Sequence, residues 1–97
     1  MGFVQIIEFR SSKIAEIQEV GNEWLKATEG KRKARRSVLC EDRDNPGRYL
    51  QIVFFDSHEA AMENSAMPET DALSKKLMSF ADGPPTFYNL DVIDDRE

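Results

Sequence analysis

One cysteine, Cys40, and one histidine, His58, are all the chain has of the residues that most often hold metals or drive nucleophilic catalysis. A single cysteine excludes an intramolecular disulfide. One histidine, one cysteine and scattered carboxylates give no spacing that reads as a zinc or iron site, so no metal site is expected. There is no glycine-rich phosphate loop and no serine elbow. Gly30, Pro46-Gly47, Pro68 and Gly83-Pro84-Pro85 mark turns and helix boundaries, and no linker or low-complexity stretch appears. No apolar run approaches the roughly 18 residues of a membrane span. No charged segment followed by an apolar one precedes residue 3. A cytoplasmic location without membrane partners is the expectation. The formal net charge of -5 gives no general attraction to nucleic acid or anionic lipid, so no nucleic-acid partner is expected either.

What remains is a 97-residue chain, 40% hydrophobic and 32% charged, which fits one soluble domain over residues 1–97. Residues 3–10 (FVQIIEFR) read as a strand with apolar groups on both faces: Phe3, Gln5, Ile7 and Phe9 on one, Val4 and Ile6 on the other. Ser11 or Ser12 is placed to cap a helix whose inner stripe is Ile14, Ile17, Gly21, Trp24, Leu25 and Thr28, with Gly30 as its stop. Gly21 in that stripe suits a close approach to the sheet. A second strand over about 34–41, a charged loop with a Pro46-Gly47 turn and a third strand over 49–55 follow. Asp56 with Glu59 reads as a capping box. Pro68 divides the next helical stretch into about 57–66 and 69–81, with Leu73, Leu77 and Phe80 as the buried stripe of the second piece. Gly83-Pro84-Pro85 stops it, and a fourth strand runs over about 86–93.

Two strand–helix–strand halves predict an α+β, ferredoxin-like βαββαβ fold with an antiparallel four-stranded sheet. Right-handed crossovers put the helices on one face of that sheet. Val4, Ile6 and their neighbours are then bare on the other face, a larger apolar patch than monomers usually expose. A second copy of the chain is the simplest cover, giving a homodimer across a two-fold axis.

Few side chains stand out for chemistry. His58 falls in the first turn of a helix, a position usually solvated. Cys40 lacks a neighbouring base and reads as a structural thiol. The basic run Lys31-Arg32-Lys33-Arg35-Arg36 could seat a nucleic acid or an anionic ligand, but aromatic interleaving is absent and the rest of the chain is acidic, so a solvated loop and strand start, pairing with Glu41 or the acidic tail of a partner chain, suits it better. Gln5 is a polar group at the centre of an apolar strand and must find hydrogen bonds, from the framework or from a ligand. Trp24 on the inner stripe of the first helix and Asn64 on the sheet side of the second carry the same two readings.

The opening Ile7-Glu8-Phe9-Arg10, the junction Phe55-Asp56-Ser57-His58-Glu59-Ala60-Ala61, Asn64-Ser65 through Met67-Pro68, and Gly83-Pro84-Pro85-Thr86-Phe87 carry a likeness to a known family. Through them nearly the whole chain resembles the dimeric α/β-barrel superfamily, in particular its antibiotic-biosynthesis-monooxygenase-like branch. The resemblance implies a homodimer in which two sheets close a barrel. It also implies a cleft between each sheet and its helices for an aromatic or quinone-like compound. Some members oxidise such compounds with molecular oxygen and no metal or flavin, so no cofactor is expected. A haem-degrading branch uses an asparagine, a tryptophan and a histidine where this chain has Phe9, Met62 and Ala72. Many monooxygenase-like members carry a histidine where Asn64 stands, and an amide cannot exchange a proton near neutrality as an imidazole does.

The resulting expectation is a cofactor-independent monooxygenase acting on a small aromatic, polyketide or quinol-like compound. Its substrate would be bound by Gln5, Ile7, Phe9, Trp24, Phe55 and Asn64, with no catalytic residue assigned. The alternative is a non-catalytic ligand-binding or stress-related protein of the same fold. A third reading is an anion- or nucleic-acid-binding dimer using residues 31–36.

Overall fold

The computed structural model describes residues 2–97. Strand β1 (Phe3–Arg10) leads to helix α1 (Ile14–Ala27), then β2 (Arg36–Glu41), β3 (Arg48–Phe55), α2 (His58–Ser65), α3 (Pro68–Phe80) and β4 (Thr86–Asp91). The sheet order is β2-β3-β1-β4, with every pair antiparallel. This is the α+β ferredoxin-like arrangement. The β-branched and aromatic residues of β1 and β3 suit the two central positions, where each strand has neighbours on both sides.

Register assigns the faces. Phe3 pairs with Phe55, Gln5 with Val53, Ile7 with Gln51 and Phe9 with Tyr49. Phe3 and Phe55 form the core with Ala61 of α2, so this face is the one the helices cover. Ile17 and Val20 of α1 are buried as well. The opposite face carries Val4, Ile6, Val38, Leu50, Ile52 and Phe54, with Leu90 at its edge 45% exposed. Among the described residues no helix packs over its centre, as the strand pattern predicts.

Helix starts differ from the sequence reading. Lys13 stands at the α1 N-cap with no side-chain cap. Ser11 lies two residues too early, and its Oγ instead accepts from the Lys13 N–H at 2.9 Å and donates to the Phe80 carbonyl at 2.7 Å. The start of α1 is thereby tied to the end of α3. Ser57, not Asp56, caps α2, accepting from the Ala60 N–H at 3.1 Å. Asp56 is drawn away to Arg35, 3.1 Å distant. Pro68 is the first residue of α3, where its missing N–H would have had no helical partner. Gly30, at φ +84°, does follow α1. Gly47 closes the β2–β3 loop at φ +91°, a region that L side chains rarely adopt.

The helix layer rests lightly on the sheet. Leu73, Leu77 and Phe80 of α3 are half-buried rather than buried, and α3 has no fully buried residue. A side chain added at Gly21 would meet nothing within 4 Å, so that glycine opens space instead of permitting a close approach.

Candidate functional site

The helix-side face of the sheet is the natural place for a ligand, because its centre is not sealed. Four cross-strand rows cover it. Phe55, Phe3 and Asp91 form the first; Ser37, Val53, Gln5 and Asn89 the second. Leu39, Gln51, Ile7 and Phe87 form the third, and Glu41, Tyr49 and Phe9 the fourth. The first row is closed: Phe3 and Phe55 are 3% and 5% exposed. The middle rows are not, since Val53, Gln5, Gln51, Ile7 and Leu39 are all only half-buried despite lying under the helices. Strand centres in a sealed core would be fully buried. The fourth row closes again, with Phe9 stacked on the buried Tyr49 at 5.6 Å between centroids. Burial, and secondarily the nearby Glu41, pushes the Tyr49 phenol above its ordinary value, so it stays protonated.

Gln5, Ile7, Phe9 and Phe55 therefore share one face. Phe55 contributes through the core wall it forms with Phe3 and Ala61. Trp24 and Asn64 belong to the helix layer, where the Trp24 N–H and the Asn64 Oδ1 are already engaged. The Trp24 indole N–H donates to Thr70 Oγ1 at 3.1 Å, pinning α1 to α3, and the Arg32 guanidinium lies 5.5 Å from its ring centre. Asn64 is 6% exposed, and its Oδ1 accepts the Lys33 N–H at 3.1 Å, which holds the loop before β2 against α2. Its Nδ2 makes no hydrogen bond to protein among the described residues and is not fully enclosed. Gln5 Nε2 donates to Asn89 Oδ1 at 3.2 Å, so the framework supplies part of what Gln5 needs.

Sequence reasoning passed over Gln51 and Asn89. The signal was the one that flagged Gln5, an amide inside a run of strand-forming residues: YLQIVFF for Gln51, TFYNLD for Asn89. Two recesses flank the central rows. One of about 520 Å³ lies at the Phe3, Phe54 and Val92 end with the Arg35–Asp56 ion pair at its rim, and Phe55 lines it. The other, of about 220 Å³, lies between Phe9 and Pro84. Neither is lined by Gln5, Ile7, Trp24 or Asn64. Gln5 and Ile7 lie in the half-buried centre of the face, and Trp24 and Asn64 stand in the helix layer.

His58 is exposed, with its ring edge-on to Phe3 at 5.1 Å, outside the middle rows. Cys40 is free and half-buried on the opposite face. Among the described residues, no three of histidine, cysteine, aspartate and glutamate come together as metal ligands. No helix among them is long and apolar enough to cross a membrane. The basic run is split by its contacts: Lys31 bonds Glu69, Arg35 pairs with Asp56, and Arg36 lies over Phe54 on the uncovered face. These groups do not form one anion seat.

The opposite face ends in a charged network. Glu8 accepts from Arg48 Nε at 3.0 Å and from the Tyr88 hydroxyl at 2.9 Å, and Arg48 also donates to Asp42 at 2.8 Å. Arg48 above all, with Tyr88, holds the Glu8 carboxyl below its ordinary value. The Asp44 N–H, with Arg48, does the same for Asp42.

No protein-family model matches the sequence, and no curated protein does. Solved structures do match. A candidate antibiotic biosynthesis monooxygenase from Caulobacter crescentus superposes with a TM-score of 0.82 at 14% identity, over 96% of this chain and 91% of that one. SnoaB, a cofactor-independent oxygenase from Streptomyces nogalater, does so with a TM-score of 0.80 at 16% identity, over 97% and 95%. A conserved protein from Methanosarcina mazei Go1 gives 0.80 at 8% identity, over 93% and 91%. At such identities the likeness shows the fold: the chain has the architecture of the antibiotic-biosynthesis-monooxygenase-like proteins.

Proposed function

We propose that this chain, built on the fold it shares with SnoaB, holds a small aromatic compound between sheet and helices and oxidises it with molecular oxygen, without a cofactor. The observation that supports this most is the unsealed centre of the helix-side face, floored by Gln5 and Ile7 between the aromatic walls of Phe3 with Phe55 and Phe9 with Tyr49. A planar ring gains stacking and burial there while amides orient its oxygens. Trp24 and Asn64 complete the site from the helix layer, with Asn64 Nδ2 as the free donor.

The middle rows hold no ionisable side chain. The substrate must be acidic enough to lose a carbon-bound proton to solvent, as the ring methylene of an anthrone does. The amides then stabilise the delocalised oxyanion. Oxygen takes an electron from that anion, the two radicals combine as a hydroperoxide, and loss of water leaves the new carbonyl. The balance is a ring CH₂ plus O₂ giving C=O plus H₂O, both electron pairs coming from the substrate. A homodimer is part of the reading: sheet against sheet covers the apolar face and stiffens the floor of each cleft.

Incubating the protein with an anthrone under air should consume oxygen and form quinone in equal amounts, above the uncatalysed rate. Absence of acceleration over buffer rejects the oxygenase. The second reading, a binding protein without turnover, draws on that same lack of a proton acceptor. It predicts saturable binding of the corresponding quinone with no oxygen uptake.

A further inference from the structure

Gly21 stands inside the inward stripe of α1, where glycine is the poorest helix former after proline. A glycine facing inward usually marks a close approach, because a side chain there would collide with the neighbouring element. Gly21 does the reverse. It is half-buried, yet a Cβ built on it would meet nothing within 4 Å. Ile17, one turn earlier on the stripe, and Thr28, two turns later, are sealed at 5% and 0% exposure. The missing side chain leaves a gap in a stripe that is packed on either side of it.

Topology tells which way the gap opens. The sheet order is β2-β3-β1-β4, so the crossover from β1 to β2 carries α1 over β3 and β2, and the crossover from β3 to β4 carries α3 over β1 and β4. Two residues of α1 reach α3: Trp24, whose N–H bonds Thr70, and Glu23, which pairs with Lys76 at 3.0 Å. By helix geometry Gly21 lies about 60° round α1 from Trp24 and about 160° from Glu23, on the flank turned away from α3. That flank overlooks β3 and β2. Leu25, the next residue along it, is 44% exposed. Leu39 and Gln51, paired on the helix-side face of those two strands, are only half-buried. The residues above and below the gap are thus unsealed together.

We infer that Gly21 is a specificity-determining residue. Its missing side chain holds open the β2 side of the space between helices and sheet, and so sets the largest guest that space admits. This role rests on the ligand lying between sheet and helices, but not on any turnover there nor on the polar groups of the guest.

The test is equilibrium binding of two uncharged, redox-stable ketones that differ in size, 1-indanone and 9-fluorenone, to the intact protein. Quenching of Trp24 and equilibrium dialysis both read it. Gly21→Ala should raise the thermal midpoint by a few degrees, because alanine is the better helix former and its methyl group enters free space. Gly21→Leu should fold with a midpoint no lower than that of the wild type. It should weaken 9-fluorenone by about tenfold or more, the worth of one excluded ring, and change 1-indanone by less than about twofold. Asn22→Leu, on the exposed outer side of α1, should alter neither affinity. Unchanged 9-fluorenone binding in Gly21→Leu overturns the inference, and so does an equal loss in Asn22→Leu. A lowered midpoint in Gly21→Ala, or a Gly21→Leu protein that does not fold, overturns it too, because the space would then not be free. If the wild type binds neither ketone, the ligand site itself is refuted and the role of Gly21 with it. Size selection at Gly21 without oxygen uptake on an anthrone upholds the role and removes only the oxygenase.

Discussion

The Asn64 amide works in two directions. Its oxygen fixes the Lys33 N–H from inside α2, and its nitrogen makes no hydrogen bond to protein among the described residues, which suits the donor role proposed for it. Removing it takes away a part-buried hydrogen bond, which costs about 1 kcal/mol. Asn64→Ala should therefore lower the unfolding free energy by that amount, seen as a lower urea midpoint with an unchanged slope, and an unaltered midpoint would refute the anchoring role. A fall in turnover in that variant cannot be read as lost substrate contact until stability is matched. The sequence marked Asn64 by its place beside Ala60 and Ala61. It could not reveal the partner, which is a main-chain group 31 residues earlier. Trp24 is the same case, since Thr70 becomes its neighbour only once α1 and α3 lie side by side. Gln5, Gln51 and Asn89 were legible in principle, because an amide inside a strand pattern is conspicuous without any partner being known.

Element positions were the most readable part of the chain, because periodicity is local. The run 3–10 gave β1 to the residue, and Pro68 with Gly83-Pro84-Pro85 bracketed α3. The exact helix starts were not readable, since Ser11, Ser12, Asp56 and Ser57 are all competent caps. Tertiary demands chose among them: Phe80 claimed Ser11 and Arg35 claimed Asp56. Pro68 bears on this scale directly. Its ring fills the first position of α3, and Met67 before it is extended at ψ 137°. Pro68→Ala removes no hydrogen bond from the folded state and mainly frees the unfolded chain. The expected loss is under about 1 kcal/mol, seen as a small shift in thermal midpoint. A loss several times larger would mean that the ring itself holds the α2–α3 bend.

At the scale of the molecule, the uncovered apolar face decides behaviour in solution. Sedimentation equilibrium should report twice the 11.1 kDa of one chain. Ile52→Lys, at the centre of that face, should return the protein to the single mass. A wild-type monomer at micromolar concentration would refute the sheet-to-sheet dimer. The Glu8–Arg48–Asp42 network at its border sets the acid limit. Both carboxyls titrate lower in the folded protein than when unfolded. Their contribution is complete above the ordinary carboxylate values of 4.5 and 3.8, and it drains away as pH falls through the folded values. Tyr88, raised by its bond to Glu8, acts oppositely and loses its contribution only above pH 10.0. Thermal midpoints should be level across neutral pH and drop in acid, and Glu8→Gln should flatten that drop. The light seating of α3, without one fully buried side chain, has a kinetic corollary. Sub-global opening begins where few apolar contacts must break. Amide deuterium should enter residues 68–80 well before β1 and β3, and a bound guest should slow it. Exchange in that order would mean that α3 opens as a unit while the sheet beneath it stays intact.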